Sequence, residues 1–274
     1  MQHDFLSING LKIHYSKKNK GKNTLIFIHH NSGNTTAWKN VFDNAVFDGY
    51  CLIGIDLPGH GNSSHSPQPE TDYHIKNIAA TLLETINMLN AENFILVAAS
   101  LGTNVIGEIA SKLNACKGFC MVGSSMVGGQ FEPQDVLLPF EHSAALFSAN
   151  STDTEIDNLI RGLTLKDDKN LFSDLKAGYL QTDPRFREEL LGVILRKEWA
   201  DEIGNLANTG KPVMLVYGEH DQLCNKTALN HTSINKWEDK IHIMANAGHL
   251  AHLDQPELFN QLLLRFAEDI FADA

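Results

Sequence analysis

Ile95-Leu96-Val97-Ala98-Ala99-Ser100-Leu101-Gly102-Thr103-Asn104 is the stretch on which the reading of this chain turns. An apolar run of β type ends at a lone serine. Helical spacing starts directly behind it, with Val105, Ile106, Ile109 and Leu113 on one face. Small residues stand two before and two after Ser100, at Ala98 and Gly102. The pattern predicts a sharp strand-to-helix turn that lifts a hydroxyl clear of a sheet. Alone it says little, because a small-x-Ser-x-Gly match is expected about 0.2 times by chance in a chain of this length. An attacking hydroxyl also needs a base, an acid to orient that base, and donors for the developing oxyanion.

Outward from the turn, strand and helix signals alternate. Leu25-Ile26-Phe27-Ile28 and Cys51-Leu52-Ile53-Gly54-Ile55 read as strands buried on both faces, the second running into Asp56-Leu57-Pro58-Gly59-His60-Gly61. Between them and Ser100, residues Ile75, Ile78, Ala79, Leu82, Leu83, Ile86 and Leu89 mark a helix, with Thr71 or Asp72 as its expected cap. Gly118-Phe119-Cys120-Met121-Val122 is a further strand. At the N-terminal end, Asn9-Gly10 joins alternating runs into a hairpin of type I′. From 126 to 208 the strand signals stop and the spacing is helical throughout. They return at Val213-Met214-Leu215-Val216-Tyr217 and Ile241-His242-Ile243-Met244, before a last helix with Leu258, Phe259, Leu262, Leu263 and Phe266. The expected fold is α/β, a mostly parallel sheet covered on both faces. Residues 1–125 and 209–274 form its core, and 126–208 form a helical lid inserted in it.

Composition narrows the function. The chain has 274 residues, 43% of them hydrophobic, and 22 basic against 33 acidic residues give a net charge of −11. That balance opposes binding to nucleic acid and to anionic membranes. The first residues lack a basic segment followed by an apolar one, and no run reaches the roughly 18 apolar residues of a spanning helix. A cytoplasmic location is expected. Cys51, Cys116, Cys120 and Cys224 show no disulfide or paired metal spacing, so buried packing is expected for them. The 13 histidines include no HxHxDH or HExxH pattern, and neither metal nor cofactor is expected.

Functional groups of parallel sheets gather beyond the carboxyl ends of strands. Two such ends downstream of Ser100 carry the missing partners. Gly218-Glu219-His220-Asp221 supplies two carboxylates, and Ala245-Asn246-Ala247-Gly248-His249 supplies a base. The order is serine, acid, histidine. Asp221 is the favoured acid and Glu219, two positions earlier, its rival. In the helical segment, Phe131, Phe140, Phe147, Phe172 and Tyr179 are candidates either for an acyl pocket or for helix packing, and Gly128-Gly129 either for a hinge or for an ordinary loop.

Taken together, these motifs resemble the α/β-hydrolase family with a helical cap. The resemblance runs end to end: His29-His30-Asn31 at a strand exit, Asp56 to Ser63, the turn at Ser100, Gly218-x-x-Asp221, and Gly248-His249 followed by Gln255-Pro256-Glu257. It implies Ser100 as nucleophile, His249 as general base and Asp221 as orienting acid. It also implies oxyanion donors from the backbone of Leu101 and Asn31, the Asn31 side chain being a possible further donor. Two positions depart from the family. Ala98 stands where glycine usually opens the turn, and His30 stands where glycine usually precedes the oxyanion residue. His30 and Asn31 are therefore expected to contact substrate, His30 as pocket wall.

The implied activity is hydrolysis of a small carboxylic ester or lactone through an acyl-enzyme. The closest resemblance is to the α/β-hydrolase type of N-acyl-homoserine lactonase, which shares the Asn31, Asp56 to Gly61, Ser100-Leu101-Gly102 and Asn246-Ala247-Gly248-His249 features. Two other readings stay open: carbon–carbon bond or peroxide chemistry on the same triad, and a hydrolase-like ligand receptor with little turnover. Oligomeric state is not legible.

Overall fold

The computed structural model describes residues 1–272. Eight strands form one sheet: β1 (Gln2–Ile8), β2 (Leu11–Lys18), β3 (Thr24–Ile28), β4 (Cys51–Ile55), β5 (Phe94–Ala99), β6 (Cys116–Val122), β7 (Val213–Gly218) and β8 (Lys236–Met244). Their spatial order is β1-β2-β4-β3-β5-β6-β7-β8. The first hairpin and the β2–β4 pair are antiparallel, and every pair from β4 to β8 is parallel. Asn9 and Gly10 take φ of 52° and 85° at the hairpin, the positive angles that a type I′ turn demands.

Period-two alternation divides the central strands between two apolar layers. Ile26, Ile28, Leu96 and Ala98 face a cluster completed by α1 (Ile75–Met88) and α2 (Leu101–Ile109). Leu25, Phe27, Ile95 and Val97 face Trp38, Phe42 and the C-terminal helix through Phe259 and Phe266. All of β3, β4, β5 and β7 is buried, which accounts for their unbroken apolar runs. Helix α1 is capped by His74, whose ring accepts the Lys76 N–H, and not by Thr71 or Asp72; those two lie in a separate turn, Pro69–Asp72.

Between β6 and β7 the chain forms α3 (Asp153–Leu163), α4 (Lys169–Gln181), α5 (Pro184–Arg196) and the short α6 (Glu202–Ala207), with shorter turns before them. Thr152 starts α3 with a capping box to Glu155, and Asp168 and Asp183 cap α4 and α5. The segment is tied to the sheet by polar contacts, notably the Tyr73 hydroxyl donating to Asp183 at 2.7 Å and the Asp183 N–H donating to the Gly59 carbonyl at 2.8 Å. The final helix, α7, spans Pro256–Ala272. No helix among the described residues is long and apolar enough to cross a membrane.

Candidate active site

Ser100 stands between β5 and α2 with φ 50° and ψ −122°, outside the regions an L-residue adopts freely. Its N–H donates to the Val122 carbonyl at 2.8 Å, which locks the turn to the end of β6. Gly102 is needed two residues further on. A Cβ there would lie 2.7 Å from the His29 carbonyl oxygen and 3.0 Å from that of Ile28, so any larger residue would push α2 off β3. Ala98 is fully buried in β5, and its methyl is accommodated in the sheet's apolar layer.

The base and acid meet behind this turn. His249 Nδ1 lies 3.0 and 3.2 Å from the two oxygens of Asp221, and both residues are buried. Asp221 also accepts the N–H groups of Leu223 and Cys224, each at 2.9 Å. Burial by itself would raise the Asp221 carboxyl, but His249 and the two amides outweigh it and hold the group below its ordinary value. A carboxylate so placed accepts a hydrogen bond from Nδ1–H, keeps the proton on that nitrogen, and leaves Nε2 as the acceptor. Nε2 is buried and has no hydrogen-bond partner among the described residues. Gly123 connects the pair to the serine. It follows Val122, takes φ +55°, and packs so closely that a Cβ would lie 2.9 Å from His249 Cε1. Ser100 and His249 are thus each fixed against the end of β6, the serine through Val122 and the histidine through Gly123. Glu219, half exposed, turns instead to the Asn246 N–H at 3.2 Å.

Asp221, Cys224 and His249 bring three donor atoms within 4.8 Å of one another. Burial pushes the Cys224 thiol well above its usual range, so it resists becoming the thiolate a metal prefers. Asp221 is moreover already engaged with His249 Nδ1. The trio suits a hydrogen-bonded acid–base pair better than a metal.

The Leu101 N–H is in the first turn of α2, where helix donors lack intrahelical partners. Asn31 follows β3, and neither its N–H nor that of Leu101 is engaged by another group among the described residues. The Asn31 side chain is engaged away from the serine. Its amide donates to the Leu146 carbonyl at 3.0 Å and its oxygen accepts from Ser32 at 2.8 Å, so it ties the oxyanion loop to the helical segment instead. His29 holds the loop from the other side: Nδ1 donates to the His30 carbonyl at 2.8 Å and Nε2 accepts the Leu57 N–H at 3.0 Å.

Ser100, Leu101 and Asn31 open on a cavity of about 190 Å³ whose wall is mainly apolar, including Ile75, Leu146, Phe147, Val193 and Trp199. Of the aromatic candidates in the helical segment, Phe147 alone lines this cavity. Phe140 and Tyr179 are packing residues, the Tyr179 hydroxyl donating to the Ala145 carbonyl at 2.8 Å. His30 is not part of the wall either. Its ring is directed against Gly33 and lines a separate polar cleft with Asn34, Lys39 and Lys166. Two residues to which motif reading assigns no role stand close to the chemistry. Asp254 braces the His249 loop, accepting the Gly248 N–H at 2.7 Å, and Glu202 lies in the cavity wall.

Comparison with known proteins agrees with this architecture. The chain is 24% identical over 273 residues to the dihydrolipoyllysine-residue acetyltransferase component of the acetoin cleaving system of Cupriavidus necator, covering 95% of this chain and 68% of that one. It is 24% identical over 270 residues to the 2-hydroxy-6-oxononadienedioate/2-hydroxy-6-oxononatrienedioate hydrolase of Burkholderia vietnamiensis, covering 93% and 91%. Among solved structures, a mutant of the N-acyl homoserine lactonase AidH complexed with N-hexanoyl homoserine lactone superposes with a TM-score of 0.89 at 20% identity, covering 98% of each chain. The family model for the alpha/beta hydrolase fold matches residues 23–256, from the first parallel strand to the start of α7, and the chain belongs to the α/β-hydrolase family.

Proposed function

We propose that this hydrolase-family protein cleaves a small carboxylic ester or lactone through an acyl-enzyme on Ser100. The observation that carries the reading is the His249–Asp221 pair at 3.0 Å with Nε2 unpartnered, together with Ser100 in a strained turn at the cavity wall, both anchored on the end of β6. His249 takes the Ser100 proton as the hydroxyl attacks the carbonyl. The Leu101 and Asn31 N–H groups receive the oxyanion, each such donor typically lowering the barrier by about 2.7–4 kcal/mol. The leaving oxygen collects the proton from His249, which then activates water to release the acid. The helical segment 126–208 acts as the cap that walls the acyl site.

The cavity's size and chemistry support a small, largely apolar acyl group. Its volume is below the roughly 300–1,000 Å³ of sites for drug-sized ligands. The lactonase AidH, similar in fold, is crystallised with a lactone. Carbon–carbon cleavage of a dioate, the substrate type in the name of the Burkholderia relative, is less well served. The wall of this cavity contains no Lys or Arg and does contain Glu202, so a second carboxylate would meet no counter-charge. Steady-state assays with p-nitrophenyl butyrate and γ-butyrolactones test the proposal. Turnover by the wild-type protein and its loss in Ser100→Ala are expected. An inert wild-type protein that still binds acyl lactones would favour a receptor.

A further inference from the structure

Glu202 is 1% exposed, yet it lines the same cavity as Ser100. Its position is set by steric fit. Gly107 of α2 faces it, and a Cβ at Gly107 would lie 2.6 Å from Glu202 Cβ. One carboxyl oxygen, Oε2, accepts the Asn104 side-chain N–H at 2.8 Å and the Val127 backbone N–H at 2.9 Å. Asn104 is itself occupied, donating also to the Ser125 carbonyl and accepting from the Ser125 hydroxyl, both at 2.9 Å. The other oxygen, Oε1, has no partner among the described residues. Burial, with help from Glu108 and Asp201, pushes the carboxyl well above its ordinary range, against the two N–H bonds. Since Oε2 already receives two N–H groups, Oε1 is the oxygen left to carry a proton and to meet a ligand.

Resting on the acyl-enzyme reading above, we propose that Glu202 Oε1 is the specificity determinant of the Ser100 cavity, donating a hydrogen bond to an amide or keto oxygen on the acyl portion of the substrate. The acyl portion is the part concerned because it stays on Ser100 through both steps, while an ester's alcohol departs and a lactone's ring oxygen is freed as a hydroxyl on the same chain. Asn104 is four residues after Ser100, about one helical turn away, where side chains are about 5–6 Å apart. The recognised oxygen is therefore a few bonds from the scissile carbonyl. A plain alkyl ester of equal length would leave Oε1 without a partner.

The test compares p-nitrophenyl N-acetylglycinate with p-nitrophenyl pentanoate, whose acyl chains have equal length and differ by an amide. In Glu202→Leu the ratio of kcat/KM for the amide ester over the alkyl ester should fall at least tenfold. In Glu202→Gln, which keeps a donor at this position, it should stay within threefold of wild type. A ratio unchanged in Glu202→Leu, or an equal fall on both esters, overturns the proposal and leaves Glu202 a structural tie. If the wild-type protein hydrolyses neither ester, the esterase reading fails instead. The same ratio is then read from affinities of N-acetylglycine methyl ester and methyl pentanoate, measured by calorimetry. A tenfold fall in Glu202→Leu again supports the proposal, and no fall overturns it.

Discussion

The Asp254 carboxylate accepts the Gly248 N–H at 2.7 Å, one residue before His249, and its oxygens also accept the N–H groups of Leu165 and Lys166 at 2.9–3.0 Å. One buried side chain thus joins the loop carrying the base to the helical segment. Replacing it by alanine leaves three N–H groups without their acceptor, that of Gly248 buried. Asp254→Ala should lose roughly 2–3 kcal/mol of unfolding free energy, the scale expected when charged acceptors are removed. It should lower kcat by more than the fraction unfolded explains. Urea melts alongside kcat measurements check both effects.

Asp221 and Glu219 make opposite predictions as the acid. Asp221→Asn keeps the shape but removes the charge that sets the His249 tautomer, and kcat should fall about 10³–10⁴-fold, the scale seen when the acid of a serine triad is so changed. Glu219→Gln should stay within about threefold, because Glu219 is half exposed and contacts the Asn246 N–H instead of His249. A large loss in Glu219→Gln would reassign the acid.

Stability should depend steeply on pH below neutrality. His29, His30, His60 and His252 are almost wholly buried, and burial lowers each, His60 and His252 to about 3. The unfolded chain takes up protons near pH 6.5 that these native rings refuse, so the unfolded state gains on acidification. Stability is complete above about pH 6.5 and is lost as pH falls toward 3, with a limiting slope of about 1.4 kcal/mol per pH unit for each histidine. Urea midpoints measured at pH 7.5, 6 and 5 should fall in that order. His252→Phe should flatten the curve, and an unchanged slope would refute the assignment.

Gly102 should tolerate no side chain. Gly102→Val must displace α2 from the His29 and Ile28 carbonyls and move the Leu101 donor with it. A loss of about 1–3 kcal/mol, typical of overpacking, should accompany a larger proportional loss of kcat. Thermal melts and ester assays separate the two.

Much of this architecture can be read from residues because burial imposes simple patterns. Strands enclosed on both faces, such as 25–28 and 94–99, must be apolar throughout, and the Asn9-Gly10 turn requires residues that accept positive φ. Where burial is uneven the pattern fades. β8 begins at Lys236, five residues before its apolar run, because this edge strand leaves Glu238, Asp239 and Lys240 exposed. Side-chain direction is harder still. His30 occupies the expected loop position but turns to the far side of it, and the Asn31 amide is diverted to Leu146. Glu202 and Asp254 sit outside any motif. Their positions follow from contacts between distant segments, with Val127 and Asn104 for one and with Gly248 and Leu165 for the other.

The central claim is that Ser100 is a nucleophile activated by His249. Treatment with a fluorophosphonate followed by peptide mass mapping tests it directly. A single adduct on Ser100, formed rapidly in wild type and at least a hundredfold more slowly in His249→Ala, is the predicted result. An unlabelled Ser100, or labelling that is indifferent to His249, would contradict it.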